Sequence, residues 1–170
     1  MHVVISLFIC CFIVFSCTPH EHGYLDYGSK SEQLISCYEI ADSLAEQMIA
    51  KNMTPAGIVR TTFVNIDSTN AVTSVGRTYS DAIASRLSQK GFNIIEPNTE
   101  FSPRSAQPSA NSFSVTPELL EFVKKNNGSA VLIGYYKRLP KNESVVVYTR
   151  IINISSSVIV ASEEHEIEDR

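Results

Sequence analysis

The residues that could act as acids, bases or nucleophiles are few and scattered along the chain. The histidines that follow the first apolar segment are His20, His22 and His165, and the isolated thiol is Cys37. Carboxylates that could pair for general acid–base work are Asp67, Asp81, Glu96 and Glu118. We expect the three histidines to lie in segments too mobile to hold a base within hydrogen-bond reach. Each carboxylate has an ordinary place at a helix end or in a loop.

Motifs that carry catalysis or bind cofactors are absent from the 170 residues. There is no Gly-rich phosphate loop, and no G-x-S-x-G, H-E-x-x-H or C-x-x-C occurs. His20 and His22 supply only two metal ligands in a polar segment, which makes a weak site. We therefore expect no catalytic, cofactor-binding or metal residues, and a protein that is not an enzyme.

The charge of the chain excludes a further class, the nucleic-acid-binding proteins. Lys and Arg number 14 against 18 Asp and Glu, a formal net charge of −4. Five of the acids lie between Glu163 and Asp169, beside Arg170, so the chain before this tail is neutral, with 13 basic against 13 acidic residues. A neutral body lacks the basic field that nucleic-acid binding requires.

The N-terminus carries the most specific chemistry. Val3–Phe15 is an apolar stretch interrupted by Ser6, which is too short to span a bilayer but has the length of a secretory signal core. Only His2, and no Lys or Arg, precedes it. The stretch ends in Val14-Phe15-Ser16-Cys17, which resembles a bacterial lipobox, with an aliphatic residue at −3 and a small residue before the cysteine. Cys10 and Cys11 follow bulkier residues and fit less well.

The lipobox resemblance implies cleavage after Ser16 and a diacylglycerol thioether, with further acylation such as palmitate, on Cys17. Several acyl chains on one residue anchor a protein stably in a lipid bilayer. Thr18 after the cysteine implies sorting to the outer membrane. The alternatives are a plain cleaved signal with an incidental cysteine, or a buried N-terminal helix. Cys37 then remains as a lone thiol, so no disulfide framework is possible.

Hydrophobic periodicity predicts three helices. Residues 32–51 repeat apolar side chains at helical spacing from Leu34 to Met48. A second helix begins with Ser74 as its N-cap and ends before Gly91. A third begins at Thr116-Pro117 and ends near Asn126.

Strands are predicted between and after these helices, at residues 58–66, 92–96, 130–136, 145–154 and 158–162. The order α-β-α-β-α-β-β-β predicts an α+β fold with two layers: about three helices on one face of a mixed β-sheet of about five strands. We divide the chain into a signal peptide (1–16), a lipidated flexible tether (17–31), an α/β domain (32–163) and an acidic tail (164–170). Within the domain, 97–116 is a long Pro/Ser-rich loop, either disordered or docking a partner.

The strand 145–154 is apolar on both faces, which is unusual for a strand that is wet on one side. Val145, Val147 and Ile151 point one way; Val146, Tyr148, Ile152 and Ile154 point the other. The second face must be covered by the N-terminal helix or by another subunit. We therefore expect a protein partner or a homo-oligomer contact through Val146, Tyr148 and Ile152.

Several segments together resemble one family. Ser74-Val75-Gly76-Arg77 is similar to an S-x-x-G-R helix start, and Gly91–Glu96 to a G-[FY]-x-[VI]-x-E strand. Further similar segments are Thr61–Asp67, Glu100-Phe101, Ser114–Glu118, Gly128–Tyr136 and Arg150–Asn153. In this order, over residues 40–163, they resemble the FlgO-domain family of flagellar outer-membrane proteins.

The resemblance implies an outer-membrane lipoprotein with its domain in the periplasm, associated with the flagellum, needed for motility and acting structurally, without a cofactor. The alternative is an envelope lipoprotein that binds peptidoglycan fragments or a small ligand in a groove beside the sheet. Gly76 is expected to allow a helix to approach the sheet closely.

Overall fold

Three helices and seven strands make up the part of the protein described by a computed structural model, residues 27–67, 71–97, 115–139 and 144–168. The helices are α1 (Tyr27–Ala50), α2 (Ser74–Gln89) and α3 (Pro117–Lys125). The strands are β1 (Ile58–Arg60), β2 (Val64–Asn65), β3 (Ala71–Val72), β4 (Ile94–Ile95), β5 (Ala130–Leu139), β6 (Ser144–Asn153) and β7 (Ile159–Glu168).

The strands form one mixed sheet centred on β5. Strands β1 and β2 lie end to end along one side of β5, both parallel to it, and β6 and β7 follow antiparallel on the other side. Strand β4 extends the sheet beyond β1 in parallel, and β3 extends it beyond β2 in antiparallel. The predicted α+β class, mixed sheet and order of helices and strands are confirmed.

Seven strands replace the predicted five because the first predicted strand is divided. Arg60 pairs with Leu132 and Val64 with Tyr135, so four residue steps on this side oppose three on β5. The extra residue interrupts the ladder as a β-bulge does. The second additional strand, β3, lies between the predicted first strand and second helix, where the sequence predicted no strand.

Helices α1 and α2 cover one face of the sheet. Ile40, Leu44 and Met48 of α1 join Ile83 and Leu87 of α2 in the larger core cluster. The strand residues they contact alternate along the chain, as the period of a strand requires. Those residues include Ile58, Leu132, Val145, Val147, Ile151 and Ile167.

Helix α3 lies on the opposite face, so the prediction that all helices share one face is wrong. Leu119 and Val123 of α3 form a second cluster with Val59, Val131 and Ile152. The chain passes from β1 through α2 outward to β4, and then through α3 back across β1 to β5. Right-handed crossovers that run in opposite directions along a sheet place their helices on opposite faces.

The beginnings of two helices differ from the prediction. Helix α1 starts at Tyr27 rather than at residue 32, so the last five residues of the predicted flexible tether are helical. No proline occurs there to prevent the extension. Helix α2 is capped by Thr73 rather than Ser74, because the Thr73 hydroxyl accepts a hydrogen bond from the Gly76 N–H at 3.0 Å.

The prediction of an acidic tail from residue 164 is also wrong, because residues 159–168 form strand β7. Its inward side chains pair with α1: Ser43 donates a hydrogen bond to Glu163, and His165 lies 3.5 Å from Glu39. Ile167 is 1% exposed in the main core. These contacts hold an acidic strand in the sheet, although few of its inward residues are apolar.

The signal segment, Cys17 and most of the loop 97–116 lie outside the described residues. Within the part of the chain that the structure covers, no helix has both the length and the apolar character needed to cross a bilayer.

Gly76 allows α2 to lie directly against the sheet, as expected from the sequence. A Cβ atom at this position would lie 2.1 Å from the Phe63 carbonyl oxygen and 3.3 Å from the Tyr136 ring. The obstructing oxygen belongs to backbone, which cannot move aside as a flexible side chain can.

We predict that Gly76→Ala destabilises the fold by about 1–3 kcal/mol, the usual cost of overpacking a core. Urea unfolding followed by circular dichroism would measure the loss. Ser85→Ala, on the exposed side of the same helix, is the matched control and should change stability little. Equal stability of both variants would contradict close packing at Gly76.

Helices α1 and α2 are joined by an ion-pair cluster at the edge of the core. Arg86 donates two hydrogen bonds of 2.8 Å to the Asp42 carboxylate, and Lys90 lies 3.2 Å from it. The hydrogen bond from Arg86 is the main cause that lowers the pKa of Asp42 to about 2. Because the folded-state pKa lies below the ordinary value of 3.8, the carboxylate stabilises the fold above that pH.

We therefore predict that Asp42→Asn is less stable than the unmodified chain near neutral pH. The difference should shrink as the pH falls from 3.8 towards about 2, where the native carboxyl group also becomes neutral. Thermal unfolding of both proteins across this range tests the prediction, with the exposed Glu46→Gln as control. A stability difference that does not vary with pH would contradict it.

Candidate functional site

The structure brings two of the four candidate carboxylates together, but a cation separates them. Arg60 lies 2.6 Å from Asp81 and 2.7 Å from Glu96. Arg60 also donates a hydrogen bond to the Ser80 hydroxyl at 3.1 Å. Both carboxylates are therefore engaged in ion pairs with the same guanidinium, an arrangement that joins β1 to α2 and to the residue after β4.

The other candidates do not assemble into a reactive site. Asp67 is exposed beside β2, and Glu118 lies in the first turn of α3. Cys37 is 1% exposed within the main core, and burial raises the pKa of its thiol to about 12. A thiol in this state is unreactive. His165 Nε2 lies 3.5 Å from a Glu39 carboxylate oxygen, while His20 and His22 lie outside the described residues.

Metal binding finds no support in the described ranges. No three side chains of His, Cys, Asp or Glu within them lie close enough together to hold an ion. Features suited to binding lie on the sheet face that carries α3.

One end of the sheet face that carries α3 belongs to neither core cluster. Cross-strand neighbours there are Lys137, Val146 and Glu166 in one row, and Tyr135, Tyr148 and Glu164 in the next. We call these six residues the open strip. Helix α3 packs nearer the other end of the strands, around Val131 and Ile152. The long side chains beside Val146 leave it only 9% exposed.

Two stacked tyrosines form the centre of the open strip. The rings of Tyr135 and Tyr148 lie 4.6 Å apart with an angle of 22° between their planes. The Tyr148 hydroxyl also donates a hydrogen bond to Glu164 on β7. Partial burial, followed by the nearby charge of Glu164, raises the pKa of Tyr148 above its ordinary value. The result is a rigid aromatic platform bordered by carboxylates.

A groove continues from the open strip towards α3. Its volume is about 290 Å³, and its walls include Val115 and Leu120 beside α3 and Ile152 and Ile159 of the sheet. Arg150 also lines the groove, and it is the residue of β6 that follows Tyr148 on the same face of the sheet. The groove thus combines apolar side chains with the polar groups of Arg150, Asn153 and Ser157, a composition suited to a small ligand.

These contacts change the set of residues predicted to bind a partner, Val146, Tyr148 and Ile152. Ile152 packs beneath α3 of its own chain, so it is not available to another subunit. The covering element for this half of the face is thus α3, and neither the N-terminal helix nor another subunit, the two alternatives that the sequence suggested. Val146 and Tyr148 remain in the open strip. Sequence reasoning missed Tyr135, Glu164 and Glu166, although alternate acids from Glu164 to Glu168 are a period-two signal of a strand.

Comparison with known proteins identifies the family of this chain. The sequence matches the FlgO protein family over residues 38–170, which is most of the chain. The protein therefore belongs to the FlgO protein family. No match was found among curated proteins.

Solved structures share the architecture at low sequence identity. The LpoB C-terminal domain from Escherichia coli is 10% identical, with a TM-score of 0.54, over 80% of this chain and 98% of that domain. The NMR structure of E. coli LpoB gives 10% identity and a TM-score of 0.50, over 79% of this chain and 68% of that one. Lipoprotein GNA1162 from Neisseria meningitidis is 16% identical with a TM-score of 0.43, over 67% and 81%.

We predict a favourable coupling between Tyr135 and Tyr148 of about 0.5–1.5 kcal/mol, the usual value for an aromatic pair. A double-mutant cycle of Tyr135→Ala, Tyr148→Ala and the combined variant would measure it by urea unfolding. Pairing Tyr135→Ala with Tyr38→Ala, on helix α1, is the control and should give additive losses. Additive losses for Tyr135 and Tyr148 would mean that the rings do not stabilise each other.

Proposed function

We propose that this protein is an outer-membrane lipoprotein whose domain lies in the periplasm and has a structural, assembly role at the flagellum. The observation that carries the proposal is the match to the FlgO protein family over residues 38–170. The sequence Val14-Phe15-Ser16-Cys17, just before the matched domain, supports the lipid anchor. Acylated Cys17 holds the domain at the bilayer, and a chain of net charge −4 lacks the basic field that nucleic acid would require.

A non-catalytic role is supported by the chemistry of the described residues. The candidate acids Asp81 and Glu96 are both bound to Arg60. The Cys37 thiol is buried, and His165 lies beside Glu39. The open strip, which contains the predicted contact residues Val146 and Tyr148, offers aromatic and acidic groups to a protein partner. A second copy of the chain is the other occupant compatible with an assembly role.

The groove beside α3 favours one alternative function. Its apolar walls and Arg150 suit a small ligand with a carboxylate, such as a peptidoglycan fragment. In that case the protein would capture envelope material rather than support a flagellar structure. Isothermal titration of the purified protein with muropeptides distinguishes the two functions, since the assembly role predicts no binding in the groove.

We predict that Cys17→Ser prevents acylation and moves the protein out of the outer-membrane fraction, because the thioether needs the sulfur atom. Cells that carry only this variant should also swim poorly in soft agar if the role is flagellar. Fractionation, intact-protein mass spectrometry and a motility assay measure the three effects.

Cys11→Ser is the matched control, since that cysteine lacks the small preceding residue, and it should be processed normally. Unchanged membrane fractionation of Cys17→Ser would contradict lipid anchoring. Normal motility of cells that lack the protein altogether would contradict only the flagellar role.

A further inference from the structure

Strand β7 is the outer strand of the sheet, and its backbone polar groups divide into two sets. In an antiparallel pair, alternate residues direct N–H and C=O away from the neighbouring strand. Ser162 is one of these, because its N–H donates to Gln47 Oε1 at 3.1 Å and its C=O accepts from Gln47 Nε2 at 2.9 Å. The register from Ser162 to Glu168 is unbroken, so Glu164 and Glu166 also direct their backbone outward.

Helix α1 covers only one half of this edge. Gln47 binds Ser162, and Lys51 donates a hydrogen bond to the Val160 C=O at 2.8 Å. No hydrogen bond to the outward N–H and C=O groups of Glu164 and Glu166 comes from the described residues. The free half of the edge therefore has the donors and acceptors that an added strand would use.

The side chains on the free half determine which charge an added strand should carry. Residues paired with Glu164 and Glu166 would place their side chains on the face that carries both carboxylates and the Tyr135–Tyr148 platform. A lysine or arginine there would meet a carboxylate and the face or edge of an aromatic ring. A second copy paired through the same edge would set glutamates against glutamates, which is unfavourable.

We propose that the free half of β7 binds an extended, cationic segment of a partner protein by strand addition, with Lys or Arg at alternate positions over the open strip. The segment adds a strand outside β7, so that its backbone pairs with Glu164 and Glu166. The inference rests on the proposed function in that an assembly role requires a partner. It is nevertheless independent of the lipid anchor, because binding to the domain does not involve Cys17.

The test uses the purified full chain in detergent and a synthetic peptide of alternating lysine and valine. We expect this peptide to bind, and to slow amide hydrogen exchange at Glu164 and Glu166. The double variant Glu164→Gln/Glu166→Gln should weaken binding about fivefold at low salt, because two partly exposed ion pairs are lost. The control Glu46→Gln/Glu121→Gln makes the same change in net charge on α1 and α3, and should weaken it less than about twofold.

Backbone pairing is tested separately from charge. A peptide of the same sequence with N-methyl groups at the valines, and a second one N-methylated at the lysines, keep all charges but each lacks one set of amide donors. We expect at least one to lose binding, as a paired strand would. Equal binding of all three peptides would overturn strand addition, and an equal loss in both protein variants would overturn the location.

Two other outcomes would also overturn the proposal. One is an alternating glutamate–valine peptide that binds as well as the lysine peptide. The other is a dimer in analytical ultracentrifugation that Glu164→Lys abolishes, which would place a second copy at this edge. Loss of membrane anchoring in Cys17→Ser would leave the peptide result unchanged, so the two proposals fail separately.

Discussion

The pairing of β5 with β6, two long strands that are apolar on both faces, is the constraint on which the rest of the structure depends. Leu132, Val147 and Ile151 require cover on one face, while Val131 and Ile152 require it on the other. Helices α1 and α2 are long enough to cover the first face, but α3 has nine residues and covers only part of the second. The open strip is the part of the second face that the short helix leaves, and stacked tyrosines with flanking charges make its exposure tolerable.

Much of this arrangement was predictable from local patterns. The apolar spacing of Leu44 and Met48 predicted α1, Pro117 predicted the start of α3, and the double-sided apolar strand predicted that β6 would be covered twice. The side occupied by α3 was not predictable in this way, because it depends on the order of strands in the sheet. Once β4 lies beyond β1, the return crossover to β5 fixes the face, but pairing order is a long-range property that no local pattern encodes.

The first residues of β7 were predicted as a strand at 158–162, but its continuation to Glu168 was missed for a different reason. Its inward residues include Glu163 and His165, whose polar groups are satisfied by Ser43 and Glu39 from a helix more than a hundred residues away in sequence. A strand stabilised by such distant polar partners lacks the apolar alternation by which strands are recognised. The tyrosine platform was hidden similarly, since Tyr135 and Tyr148 become neighbours only through the β5–β6 register.

The acidity of β7 is consistent with protection of an exposed edge. An unpaired strand edge invites uncontrolled association, and charged side chains are a common means of preventing it between identical chains. The two halves of the edge differ: Gln47 and Lys51 bind the backbone at one end, whereas at the other end the described residues supply only charged side chains. Complete protection would have required another polar side chain from α1 near Glu164, and Ser43 is directed to Glu163 instead. The negative charge of β7 repels a second acidic copy of the chain but does not repel a basic strand. This form of protection therefore discriminates among partners, whereas full coverage of the edge would exclude all of them.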